Sequence, residues 1–183
     1  MSLDALNREV AYVSQELFLF NKSILENIRV GKPDATDEEV KEAARCAQCE
    51  DFIMGLPQGY DTPAGLAGSK LSGGQRQRIA FARVLLKDAP IIVLDEATAF
   101  IDPENEQKMN AAIAGIIRDK TVLVIAHKLS SIVSADKIIV LRQGKIAAEG
   151  THRELLENSE DYRKLWAASE ESQGWILKGG ESA

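Results

Sequence analysis

The sequence predicts an α/β fold built on a mainly parallel sheet. Two apolar runs, Ile91–Leu94 and Thr121–Ile125, are short and continuous, as expected of strands buried on both faces. Helix-start signals alternate with them: Thr36 with Glu39, Ser72 with Gln75, and Asp102 followed by Pro103. Strands that alternate with helices are what a parallel sheet with crossover connections requires.

In chain order, Val10–Val13 is a short β-prone run ending at Ser14-Gln15. Leu17–Phe20 is apolar and breaks at Asn21-Lys22. Ile24, Leu25 and Ile28 have helical spacing. Thr36 and Glu39 form a capping box that opens a helix to about Ala47, and Asp51–Leu56 adds a short turn or helix. A Gly- and Pro-rich loop runs from Pro57 to Ser69. Residues 23–84 therefore read as a helical lobe inserted after the first strand. Asp102 is the N-cap of a helix whose apolar positions are Met109, Ala112, Ile113, Ile116 and Ile117. Leu129–Val133 is a short helix, and the runs at Lys137–Leu141 and Lys145–Ala148 meet at Gln143-Gly144, a hairpin signal. Thr151 with Glu154 caps a further helix, and Tyr162, Leu165 and Trp166 continue the apolar pattern. From about Ser169 the sequence is polar and Gly-rich, so a single domain over residues 1–169 and a mobile tail over 170–183 are expected.

The totals fit one such domain. The chain has 183 residues, 45% hydrophobic and 27% charged, which excludes a disordered chain. A net charge of −6 argues against uniform coating of nucleic acid, and no nucleic-acid partner is expected. No apolar run approaches the roughly 20 residues that cross a bilayer, and no signal peptide is expected. Cys46 and Cys49 form a single Cys-x-x-Cys with no second pair, so they read as free thiols on a helix.

The strongest chemical signal is Leu71-Ser72-Gly73-Gly74-Gln75. Ser72 caps the helix and Gln75 closes the box, while Gly73 and Gly74 leave first-turn amides uncovered at the positive end of the helix dipole. That combination suits a phosphate. Two helical glycines cost about 1 kcal/mol each relative to alanine, so stability alone does not account for them. The run Ile91–Leu94 ends in Asp95-Glu96, at the strand end where α/β sheets bind ligands. Asp95 suits a magnesium ion, directly or through water. Glu96 suits the orientation or deprotonation of an attacking water. Alone, the pair reads equally as an acidic, solvated strand end. His127 ends the run Val122–Ala126, a strand expected to lie beside the one that carries Glu96, and is either structural or a donor to a transferring phosphoryl group. Gln15 is either a loop residue or an amide that accepts from water or a cation.

Together these segments resemble an ATP-binding cassette (ABC) nucleotide-binding domain. Leu71–Gln75 is similar to its signature motif, Asp95 and Glu96 to its Walker B aspartate and catalytic glutamate, His127 to its switch histidine, and Gln15 to its Q-loop glutamine. Asp102 stands in the D-loop position, with Ala99 in place of the usual serine. The segments Phe18–Phe20, Ser23–Ile28, Leu56–Thr62 and Gly150–Leu156 are similar to exporter-type cassettes. The resemblance implies a P-loop NTPase-like core, with ATP and Mg2+ as cofactors. Gln15, Glu96 and His127 would do the chemistry, Asp95 and Gln15 would serve the metal, and Ser72, Gly73, Gly74, Gln75 and Asp102 would contact nucleotide. It also implies two partners: a second cassette, head to tail, and a transmembrane domain on the same natural polypeptide. That domain would contact the surface around Gln15–Glu26 and the loop before Leu71. The parent would sit at the cytoplasmic face of the plasma (inner) membrane. Ala64-Gly65-Leu66 stands where exporters carry a Val-Gly-Glu-type sequence.

One motif of the family is missing. Gly-Lys occurs only at Gly31-Lys32 and Gly144-Lys145; Pro33 and Ile146 follow where the phosphate loop needs Ser or Thr. The chain is therefore expected to be a truncated cassette that lacks its phosphate loop and the strand that would stand beside Asp95. Alone it is expected to be inactive. The alternative is a non-catalytic half-site that lends its signature helix to a complete cassette.

Overall fold

A computed structural model of the chain describes residues 2–14, 16–95, 119–126 and 129–178. Two compact units emerge, Met1–Ile125 and Ala126–Ala183, which divide the chain inside what the sequence suggests is one domain.

In the first unit, α1 (Leu3–Glu9) runs directly into β1 (Val10–Val13). The sequence pattern gives no helix before Val10. α1 forms because Ser2 Oγ accepts from the Ala5 amide and caps it. The sheet is β1, β2 (Ile91–Asp95) and β3 (Thr121–Ile125), all parallel, with Val13 level with Leu94 and Asp95 level with Ile125. β2 is thus flanked on both sides. The expectation of a missing strand beside Asp95 is corrected: β3 holds that place, and any further strand can add only at an outer edge.

The two faces of this sheet differ. Ala11, Val13, Ile92 and Leu94 are buried, and α5 (Gly73–Lys87), the helix between β1 and β2, packs on β1. On the opposite face Tyr12 is 55%, Leu123 52% and Ile125 45% exposed. The prediction that Thr121–Ile125 is buried on both faces is therefore corrected. Its apolar character marks a strand suited to burial, but among the described residues nothing covers this side.

The helical lobe follows the sequence pattern closely. It contains α2 (Ile24–Arg29), α3 (Asp37–Cys46) and α4 (Glu50–Met54), then 3-10 turns at Gly59–Asp61 and Leu66–Gly68, and finally α5. Thr36 and Glu39 make the complete capping box that starts α3. α2 and α3 both pack on α5, whose Ile79, Ala80, Phe81, Ala82, Val84 and Leu86 are buried. Helix α5 stops at Asp88, which adopts a left-handed conformation (φ 53°) just before Ala89-Pro90.

In the second unit β4 (Ile138–Arg142) and β5 (Lys145–Gly150) form the expected antiparallel hairpin. Gln143 and Gly144 both have positive φ, 52° and 74°, as a two-residue turn matched to strand twist demands. Helices α6 (His152–Asn158) and α7 (Glu160–Lys178) follow. Ile138, Val140, Leu155 and Tyr162 form a small core, and His152 Nδ1 lies 2.8 Å from the Tyr162 hydroxyl. Helix α7 continues past Ser169 to Lys178, into the stretch that the sequence marks as a tail. Among the described residues no helix is long and apolar enough to cross a membrane.

Candidate functional site

The start of α5 is the best-defined part of the site. Ser72 is the N-cap: its Oγ accepts from the Gln75 amide at 3.2 Å, and Gln75 Oε1 accepts from the Ser72 amide at 2.9 Å. Both halves of the predicted capping box are present. The Arg76 amide bonds Ser72 O. Among the described residues no group accepts from the amides of Gly73 or Gly74. Two donors therefore stay open at the positive end of a 15-residue helix, the arrangement that binds an anion. No acidic residue lies in this first turn to compete with one.

The loop before this turn is strained. Gly65, Ala67 and Gly68 all have left-handed backbones, with φ of 80°, 51° and 76°. Glycine accepts that conformation freely, whereas Ala67 carries a steric cost. A cleft of about 400 Å³ opens beside the loop. Its walls are Glu16 and Leu17 from the segment after Gln15, Leu66, Ala67 and Ser69 from the loop, and Gly73 and Arg76 from α5. Leu66 is 76% exposed, and Phe18 and Phe20 form an exposed edge-to-face pair with centroids 5.3 Å apart.

Asp95 ends β2. β3 ends level with it and β1 one residue short, so the three strands finish side by side at one edge. That is the ligand-binding edge of a parallel sheet. Gln15, Glu96, Asp102 and His127, the other predicted site residues, lie outside the described residues. The strands that precede Gln15, Glu96 and His127 are adjacent. Asp95 offers a hard carboxylate oxygen of the kind magnesium takes. A nucleotide-bound magnesium needs only one or two protein carboxylates beside phosphates and water. Among the described residues no three His, Cys, Asp or Glu side chains gather, so no all-protein metal cage is built there. The donor set fits magnesium held jointly with a nucleotide.

The sequence pattern missed three residues here. Tyr12 donates from its hydroxyl to Asp95 Oδ2 at 2.8 Å. Tyr12 is level with Val93, which puts its ring on the face shared by Asp95, one diagonal step along the sheet. This hydrogen bond raises the Tyr12 phenol above its ordinary range. The signal was available only once the register was known. Asn27 and Arg83 are the other two. Arg83 donates from Nη1 to Phe18 O, from Nε to Asn27 O and from Nη2 to Asn27 Oδ1, at 2.7–2.8 Å. Asn27, fully buried, accepts from the Phe20 amide and donates to Phe20 O, Lys22 O and Ser23 O.

Burial pushes Arg83 down to about 10, which still leaves it a cation at neutral pH. Burial also pushes the Cys49 thiol up to about 12, and it raises Cys46. Both cysteines are free thiols, as expected, and neither has the thiolate character of a redox centre.

Comparison with known proteins identifies the family. The family described as "ABC transporter" matches residues 1–99. The chain is 48% identical over 163 residues to a Staphylococcus aureus protein named "Putative multidrug export ATP-binding/permease protein", covering 89% of this chain and 28% of that one. It is 49% identical over 166 residues to the "Mycobactin import ATP-binding/permease protein IrtA" of Mycolicibacterium smegmatis, covering 91% of this chain and 19% of that one. Among solved structures, a bacterial Atm1-family ABC exporter with ATP bound superposes with a TM-score of 0.86 at 42% identity, over 90% of this chain and 29% of that chain. The chain thus spans less than a third of the length of these relatives.

Proposed function

Because the chain belongs to the ABC transporter family, we propose that it is the C-terminal part of an ATPase domain that couples ATP binding and hydrolysis to transport across a membrane. The observation that carries this reading is the α5 N-terminus: a closed capping box beside two open amides on paired glycines. In the head-to-tail dimer of two cassettes, Ser72, Gly73, Gly74 and Gln75 of one chain grip the terminal phosphate of a nucleotide held by the other, with Asp102 nearby. Asp95 holds magnesium together with Gln15. Glu96 orients or deprotonates the attacking water, and His127 donates to the transferring phosphoryl group. Magnesium, when bound, offsets the charge that develops on the phosphates.

The transmembrane domain, on the same natural polypeptide, docks against the cleft between Glu16-Leu17 and Leu66–Ser69, next to Phe18 and Phe20. The cassette then lies at the cytoplasmic face of the inner membrane. Relatives named for export and for import both match, so the reading specifies energy coupling and not direction.

These residues carry no Gly-x-x-x-x-Gly-Lys-Ser/Thr sequence. The chain alone is accordingly inactive, and its own ATP and Mg2+ binding is impaired. The complete α5 cap favours a second reading, in which the chain serves as a half-site that lends its signature helix to a whole cassette. One experiment separates the two. The chain is mixed with an intact cassette whose own signature serine is disabled, and phosphate release is followed. Half-site lending predicts restored hydrolysis that disappears with Ser72→Arg. No stimulation at saturating chain rules lending out. For the parent reading, Glu96→Gln in the full-length polypeptide retains ATP binding and nearly stops hydrolysis, whereas an unchanged rate removes Glu96 from that role.

A further inference from the structure

We propose that Arg83 is a positioning residue that locks the segment after Gln15, with its exposed Phe18–Phe20 pair, onto the helix whose first turn carries Ser72. The functional meaning of the two ends rests on the reading above; the mechanical link does not.

The guanidinium of Arg83 is mostly buried, yet its hydrogen-bond partners are three neutral oxygens and no carboxylate: Phe18 O, Asn27 O and Asn27 Oδ1. A buried cation held by neutral acceptors is costly, and an apolar side chain would stabilise a helix packed like α5 at a lower desolvation cost. What the arginine supplies is geometry. Its planar fork spans acceptors on two separate pieces of chain, which a lysine point charge does not reproduce. Asn27 passes the constraint on. Its amide bonds the main chain of Phe20, Lys22 and Ser23, so Phe18 is tied to α5 directly and these three residues through one side chain.

A second attachment lies nearer the helix start. Ile24 N donates to Thr62 O and Ala64 N to Lys22 O, both at 3.0 Å, around a bridge between Ser23 and Pro63. That stretch leads into the strained loop before Leu71. Leu19, fully buried between the two exposed phenylalanines, approaches Gly68 so closely that a Cβ there would lie 3.1 Å from Leu19 Cδ1 and 2.7 Å from Arg76 Cδ. Arg76 in turn donates from Nη1 to Leu71 O at 2.7 Å. The aromatic segment therefore holds α5 directly at Arg83 and, through Gly68, packs toward Arg76, on either side of the helix's buried middle. A force on Phe18 or Phe20 has no slack loop in which to dissipate, and it reaches the Gly73–Gln75 amides through one continuous helix.

The test uses the 15N-labelled full chain. Phe18→Ala is made in the wild-type and in the Arg83→Lys background, and the shifts and exchange rates of the Gly73, Gly74 and Gln75 amides are compared. The expected result is a clear response in the wild-type background and one at least about threefold smaller in the Arg83→Lys background, the size of a modest pairwise coupling. An equal response in both backgrounds, or none in the wild-type background, overturns the proposal. Should Arg83→Lys not fold, Asn27→Ser in its place breaks the link from the other side and is judged by the same comparison. A merely structural arginine would lower the unfolding midpoint and leave the transmitted response intact. Loss of the half-site function of Ser72 would leave this coupling untouched, so the two readings fail separately.

Discussion

Tyr12 on β1 donates its phenolic hydrogen to Oδ2 of Asp95 on β2, across 2.8 Å. One carboxylate oxygen is thereby engaged, and among the described residues no group donates to the other. In the full-length polypeptide, Tyr12→Phe should raise the magnesium concentration for half-maximal hydrolysis by about threefold to tenfold, the scale of one ordinary solvent-exposed hydrogen bond. ATP affinity measured without magnesium should not change. Mn2+ titration followed by electron paramagnetic resonance gives the metal affinity directly, and equal affinities in the two proteins would remove Tyr12 from that role.

Ser72 caps α5, and in the function proposed above it also contacts phosphate; substitution can separate the two. Aspartate caps helices as well as serine, and its charge suits the helix dipole. Ser72→Asp should therefore keep the urea midpoint while repelling a partner's phosphate and abolishing stimulation of an intact cassette. Ser72→Ala should lose about 1 kcal/mol of stability with the cap. Undiminished stimulation by the aspartate variant would show that no phosphate approaches this turn.

Gly31 sits where the chain leaving α2 presses on α5. A Cβ at this position would lie only 2.2 Å from the Arg83 carbonyl oxygen, which is backbone and cannot swing aside. Gly31→Ala should cost about 1–3 kcal/mol in urea unfolding. Gly144→Ala, by contrast, meets nothing within 4 Å, and its cost is confined to the strain of a positive φ.

Acid should loosen α3 in a predictable window. Hydrogen bonds from Lys32, and then from the Thr36 amide and hydroxyl, hold the Glu39 carboxyl down to about 2. A carboxylate depressed on folding stabilises fully above its unfolded value, near 4.3, and that contribution fades as pH falls toward 2. Stability measured from pH 5 to about 2 should fall less steeply in Glu39→Gln, which cannot ionise. Identical slopes would mean that the box stays shut when protonated.

Much of the helical lobe was legible because its signals are local. Thr36 and Glu39, Ser72 and Gln75, and Thr151 and Glu154 each announce a helix start within four residues, and all three boxes form. The Gln143-Gly144 turn is equally local. What escaped depends on pairing at a distance. Nothing near Tyr12 says that Asp95 is its partner, and nothing near Asn27 points to Arg83, 56 residues on. The place of β3 beside β2 was legible from the shared pattern of an apolar run ending in a polar residue, but the order of the remaining strands was not, since it is a property of the crossovers. The exposure of β3 was misread for a related reason: an apolar run states what a strand needs, not what is there to supply it.

That uncovered side of the sheet has a consequence for handling the protein. Among the described residues, Tyr12, Ile91, Leu123 and Ile125 share one face of the sheet and are each more than a third exposed. Such a surface makes behaviour in solution depend on concentration. Light scattering and dye uptake should climb together as the protein is concentrated. A Leu123→Lys change, on the outer strand of that face, should postpone both without touching the helical lobe.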